Sequence, residues 1–210
     1  MSVGDVSTAP ILWLFLGGIG LLAYFKIGIV LAALRRGLGS GTPPALLTAM
    51  LAALLSVFAM SRVIDRSQRL MAEAPTGSAT ASVLAEGLKP VQKFLSEHSR
   101  SEDRRVAVEL ARRLDPSLTP EAAGAAFRVH LLAFVLGELK AAFRIGLVLL
   151  LPFLLIDLLC ASLLSGFFPS VFGLSVRGVA LPVKLLVFLS CDGWNLLVRG
   201  LLFGYADGGL

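Results

Sequence analysis

The chain has 210 residues, of which 56% are hydrophobic and 16% charged, with a formal net charge of +5. A soluble domain carries about 25% charged residues, so this composition excludes an ordinary water-soluble globule and points to helices in or against a membrane. Nor does the charge describe a nucleic-acid binder. Residues 61–126 are nearly neutral, and the surplus basic residues flank apolar segments, where lipid head groups, topology and ion pairing can use them.

The first apolar block runs from Ile11 to Leu34, interrupted by Lys26 and ended by Arg35 and Arg36. With no basic region ahead of it, it is read as a retained segment and not a cleaved leader. The glycine-proline connection from Gly37 to Pro44 permits a tight reversal, with its prolines starting the next helix. That helix, Ala45 to Met60, reaches only about 24 Å. It is short for an independent span and is expected to pack on neighbours or sit partly outside the hydrocarbon.

Residues 61–126 are predicted to form an aqueous helical insert, with a loop at Ala74–Thr80. Its clearest helix covers residues 102–114. Ser101 suits the N-cap, Glu102 and Asp103 the positive end, and Arg112 and Arg113 the negative end. Val106, Leu110 and Leu114 make one apolar stripe. A further helix is expected to open at Thr119-Pro120 and to run into the third apolar block without a stop before Pro152. Ala133, Gly137 and Ala141 form a small-residue row along it, and Ala142 with Gly146 forms a second, both suited to close helix approach.

The run from Ile145 to Leu164 is long enough to cross a bilayer, which needs about 20 apolar residues. It nevertheless contains Asp157, with Glu138, Lys140 and Arg144 at its entrance. After a turn-rich segment from Ser165 to Arg177, the fourth block, Val179 to Phe203, carries Lys184, Asp192 and Arg199. A charge at such depth costs roughly 2.5 kcal/mol or more unless it faces protein or water. Two readings of Lys26 and these later charges stay open: ion pairs that fix helix register, or a polar path for protons or substrate. If the third and fourth blocks make an antiparallel hairpin centred near Val171, Asp157 and Lys184 reach the same depth, whereas Cys160 and Cys191 lie about 13 Å apart along the axis and do not bond.

The residue chemistry does not support an enzyme, a cofactor or a metal. The glycines at 37, 39 and 41 lack the strand and the Gly-Lys-Ser/Thr of a phosphate loop, and Ser175 lacks the second glycine of a nucleophile elbow. His98 stands alone in a solvated helix and His130 alone on an apolar one, where a hydrogen-bonded packing role is expected. Neither cysteine has metal-ligand spacing.

Three segments carry a resemblance: YFKIGIVLAALRRGLGSGTPPALL at 24–47, ELKAAFRIGLVLLLPFLLIDLLCASLL at 138–164 and ALPVKLLVFLSCDGWNLL at 180–197. In order and spacing they resemble the FliP/SctR family, the ring-forming export-gate subunits of bacterial type III secretion systems. Only the stretch from about Arg62 to Leu114 is without a diagnostic signal. The resemblance implies an all-α membrane protein whose nominal spans are bent, built as two helical hairpins with an inserted helical segment and assembling into a helical ring or cone. The corresponding division is 1–60, 61–126 and 127–210. It also implies a pentameric ring, two smaller membrane subunits and larger export components as partners, and unfolded proteins as the passengers. The expected location is the bacterial inner membrane, in contact with lipid, with the cone towards the periplasm. Arg35 and Arg36, placed in the cytoplasm by the positive-inside bias, put the insert on the periplasmic side. The unprocessed N-terminus leans to the injectisome branch.

One departure concerns the seal. The family usually has a methionine run after the third block, whereas residues 165–182 here have none and offer Phe167, Phe168 and Phe172 instead. Bulky apolar side chains at a constriction can block water and ions by dewetting, so these three are candidate seal residues, with packing against the hairpin as the alternative. Lys26, Glu138, Lys140, Arg144, Asp157, Lys184 and Asp192 are candidates for polar contacts between helices or subunits. A competing function is a small ion-coupled transporter or proton channel using Asp157 and Asp192.

Overall fold

The computed structural model describes residues 9–39, 44–73, 80–117, 119, 124, 126–167 and 176–206. Among these residues every regular element is helical. The expected loop at 74–79, the Pro120 helix start and most of the 165–177 turn lie outside the described residues. So do Phe168, Phe172 and the side chain of Phe167.

The first apolar block folds as two helices, α1 (Ala9–Gly20) and α2 (Tyr24–Leu38), bent by 49°. At the break the backbone shifts to tighter i−3 bonds, Leu22 N–H to Ile19 and Tyr24 N–H to Leu21. This strips the Gly20 carbonyl of its usual partner, the Tyr24 N–H. The hydroxyl of Ser56, on α3 (Ala45–Ala59), donates to that carbonyl at 2.5 Å. A Cβ at Gly20 would sit 3.1 Å from Val57, so the glycine allows the close approach. Buried Met60 then turns the chain by 57° into α4 (Ser61–Ala72). The first apolar block is therefore not one straight helix, whereas the second is a single short one that bends only at its end.

Two helices follow, α5 (Thr80–His98) and α6 (Ser101–Leu114). Ser101 is not the N-cap; Arg100 occupies that position without a side-chain cap. The Val106–Leu110–Leu114 stripe also points outward, with Leu114 88% exposed. Instead α6 buries Asp103 and Ala107, and the latter clusters with Val129 and Ala133. Small side chains that let two backbones close up win over a bulky stripe that would hold them apart. Beyond α6, hydrogen bonds from the Ser117 hydroxyl and its N–H hold the Asp115 carboxyl below the usual carboxylate range.

The long helix α7 (Phe127–Phe167) has 41 residues, or about 60 Å. It passes Pro152, the first possible stop in the sequence, without ending. A proline inside such a helix is tolerated where neighbouring helices hold both sides, and Phe153 is packed directly beyond it. The two small-residue rows meet different neighbours. Ala133 and Gly137 face α6, while Gly146 lies against Ala33 of α2. Contacts advance together along α2 and α7, from Lys26–Glu138 through Ala33–Gly146 to Gly37–Phe153, so these helices run parallel.

The fourth block is α8 (Val176–Ser190) and α9 (Gly193–Ala206), bent by 63°. Phe153 meets Phe188 at a ring separation of 6.2 Å and Asp157 meets Lys184. Four residues forward on α7 match four residues back on α8, which is an antiparallel register. At the kink, Asp192 adopts φ 49°, a left-handed conformation that Asp tolerates better than most residues. A Cβ at Gly193 would lie 2.7 Å from the Phe188 carbonyl oxygen, so only glycine fits there.

The main core is a stripe on α1–α2, including Leu16, Ile19, Ile27, Val30, Leu31 and Leu34, with Phe134, Phe153, Phe188 and Leu201 packed on it. Gly37 is a tight point beside it, since a Cβ there would collide with the Phe153 ring. Overpacking of this kind costs about 1–3 kcal/mol. Gly37→Ala is therefore expected to lower the thermal midpoint of the detergent-purified protein, and Phe153→Leu in the same chain should recover part of the loss. A midpoint unchanged in the single variant would show that the ring has room to move.

Candidate functional site

Besides an exposed Arg128–Asp115 pair at 3.9 Å, three more deeply buried ionic centres lie along α7, each with a different set of neighbouring helices. Glu138 and Lys140 are two residues apart, so their side chains leave the helix about 200° apart and cannot serve one partner. Glu138 faces α2 and α9. Its Oε2 stands 3.4 Å from Lys26 Nζ and accepts a short hydrogen bond from the Tyr205 hydroxyl. Lys26 Nζ also lies 4.3 Å from the centre of the Tyr205 ring, a cation–π contact. Gly204 keeps this ammonium's space open, because a Cβ there would sit 3.2 Å from it.

Lys140 turns to α6 and pairs with Asp103, whose side chain is 2% exposed against 57% for the lysine. The carboxylate fits because residue 137 is glycine; a Cβ there would be 3.2 Å from Asp103 Oδ2. A lysine can bury its stem and keep its head near water, so the pair anchors a buried acid from the exposed side.

The third centre joins α7, α8 and α2. Lys184 Nζ donates to Asp157 Oδ2 at 2.7 Å and to the Gly37 carbonyl at 2.7 Å. Here the burial is reversed, with the Lys184 side chain 5% exposed and that of Asp157 41%. The depth match read from the hairpin register and the observed contact agree.

The remaining candidates are placed differently. Arg144 is exposed and has no carboxylate within ion-pair distance among the described residues. Asp192 is exposed and bonded locally to Asn195 Nδ2 at 2.9 Å, while its own carbonyl accepts the Leu196 N–H. It shapes the kink and, among the described residues, meets no basic partner from another helix. Arg199 is exposed. His98 is not solvated as expected: its ring stacks on Phe94 at 4.1 Å and Nδ1 contacts the Phe94 carbonyl. The expected hydrogen bond for His130 is not found at Nδ1, which is buried without a partner. Both cysteines are free, and no group of described residues could hold a metal ion.

Asp103, Tyr205 and the Gly37 carbonyl escaped the sequence reading. Asp103 looks like an ordinary first-turn acid that favours the helix dipole. Nothing near Tyr205 announces a carboxylate 67 residues away, and a backbone acceptor leaves no side-chain signal. Only Gly137, in its small-residue row, hinted that something had to approach that face.

A sequence model of the FliP family matches residues 9–201. The chain is similar to the flagellar biosynthetic protein FliP of Pectobacterium carotovorum subsp. carotovorum, at 34% identity over 85% of this chain and 69% of the relative. It is 34% identical to the hypersensitivity response secretion protein HrcR of Ralstonia nicotianae, over 87% of each chain. With the Yop proteins translocation protein R of Yersinia pestis it shares 31% identity, over 87% of this chain and 86% of the relative.

The unequal burial of Asp157 and Lys184 makes their removal unequal. Asp157→Asn leaves a buried ammonium with only neutral acceptors and should cost about 3 kcal/mol, near the low end for a broken buried pair. Lys184→Met leaves a carboxylate that water already reaches and should cost less. The double variant should resemble Lys184→Met alone, giving a favourable coupling in a double-mutant cycle on unfolding or assembly yield. Additive losses would mean that the two groups do not depend on one another.

Proposed function

The chain belongs to the FliP family, and we propose that it is a subunit of a type III secretion export gate, forming the wall of a channel for unfolded proteins. The relatives' names describe flagellar biosynthesis, secretion and translocation, which all fit a part of the export apparatus. The observation that carries the reading is the apolar face of α7. Large apolar side chains stay exposed from Leu132 to Leu163, with Leu139, Leu147, Leu151, Leu155 and Leu159 among them. That stretch spans about 46 Å along the axis, against a hydrocarbon core about 30 Å thick. Fitting it inside would need a tilt of nearly 50°, beyond the range of about 0–40° found for membrane helices. Lipid alone therefore leaves part of this face in water, and neighbouring protein must cover the rest.

α3 supports the same reading. Leu46, Leu47, Met50, Leu54 and Phe58 are exposed on a helix too short to cross alone. Three bent pairs beside one over-long helix make a poor set of upright spans and a good set of staves for a cone. In this proposal about five copies form the ring in the bacterial inner membrane, raised towards the periplasm. Two smaller membrane subunits complete it, larger export components flank it, and residues 61–126 face the periplasm. The buried ion pairs act as register pins in the wall, and residues 1–60, 61–126 and 127–210 are its structural divisions. The channel moves its passengers without chemistry of its own.

Co-expression with two smaller export-gate membrane subunits should give a co-purifying particle whose low-resolution image shows a central channel. A solid particle, or a lone monomer in stable solution, would refute the proposal. Within it, Phe167, Phe168 and Phe172 are assigned to the seal, which needs only apolar bulk at a narrow point. Replacing all three with alanine should leave the particle assembled but leaky to small ions in planar bilayers. Unchanged conductance would return these residues to a packing role.

A further inference from the structure

An apolar cavity of about 520 Å³ opens between α7 and the α8–α9 kink. Arg144, Val148 and Pro152 line it from α7, and Val187, Leu196 and Gly200 from the other side. The volume lies in the range of ordinary ligand sites, about 300–1,000 Å³. Its wall on α7 begins at Arg144 and ends at Phe153, about 13 Å further along the helix axis. The two ends differ in chemistry. Arg144 is the last charge before the apolar run from Ile145, so it is the end of the cavity suited to a polar head group. Every lining residue beyond it on α7 is apolar.

We propose that this cavity is a site for an anionic phospholipid, with the phosphate on the Arg144 guanidinium and one acyl chain between α7 and α9. Charge favours this occupant. Arg144 has no carboxylate partner among the described ion pairs, and a guanidinium binds phosphate through paired N–H donors. Basic pockets between membrane helices bind anionic head groups for the same reason. The site does not depend on the channel reading, because it is formed within one chain.

Trp194 supplies a reporter. Its ring stacks edge-on against Phe188, which lines the cavity, at 5.4 Å. The chain has two tryptophans, so Trp13→Phe leaves Trp194 as the sole emitter. The full-length variant is reconstituted in phosphatidylcholine vesicles containing increasing brominated phosphatidylglycerol or brominated phosphatidylcholine. Half-maximal quenching is expected at about fivefold less phosphatidylglycerol, the weight of one cation near an anionic surface. Arg144→Gln should abolish that preference. Gly200→Leu should abolish it too with Arg144 intact, because a side chain there enters open space and fills the cavity. Equal quenching by the two lipids in the parent would overturn the proposal, as would a preference that survives Arg144→Gln. A preference that survives Gly200→Leu would show surface attraction without a site. No quenching by either lipid would mean that a protein segment occupies the groove.

Discussion

Everything in this molecule is arranged around the cost of carrying charge on an otherwise apolar helix. α7 has to be apolar along most of its length, yet it bears Glu138, Lys140 and Asp157. Each of these groups pairs with a fixed opposite charge, and every pair holds at least one buried group whose orphaning costs several kcal/mol. The helical repeat sends them in different directions, so each meets a different element. α2 and α9 gather at Glu138, α6 at Lys140, and α8 with the end of α2 at Asp157. Apolar contacts alone would let these helices slide, since one leucine face resembles another. An ion pair with a backbone acceptor has one register.

The close contacts obey the same constraint. Each pair is accompanied by a residue with no side chain to obstruct it. Gly204 stands beside Lys26, Gly137 beside Asp103, and Gly37 serves both as the acceptor for Lys184 and as the notch for Phe153. Bringing an ammonium within hydrogen-bonding distance of a carboxylate requires the helix axes to be near, and that requires small residues on the approaching faces. The charges and the small-residue rows are thus two halves of one device.

What could be read from the sequence divides along physical lines. The all-helical class, the bilayer-length run and the Asp157–Lys184 contact were legible because they depend on composition, on 1.5 Å per residue and on symmetry about a turn. The bends were not legible as breaks. Leu21 to Ala23 contain neither proline nor glycine, and the break there depends on Ser56, which is remote in sequence. Conversely Pro152 looked like a stop and is none, since packed neighbours override local preference. α6 misled for a similar reason. Its bulky stripe suggested an inward face, but two small faces meeting at Ala107 and Ala133 made the closer contact. The partners missed at the site, Asp103 and Tyr205, became visible only once the helices were in place.

The kinks differ in what they depend on. The turn at Gly20 is completed by a hydroxyl from another helix, so it is finished only when α3 has docked. The turn at Asp192 is built within eight residues, from its left-handed backbone, the Asn195 amide and the Phe188–Gly193–Trp194 contact. These contacts all lie within α8, α9 and the turn between them. The two arms consequently arrive at any neighbour already bent, and the conformational entropy of bending has been spent before they meet it. In an assembly of many copies that saving recurs with every subunit, which makes a preorganised elbow a contribution to affinity that no list of contacts would reveal.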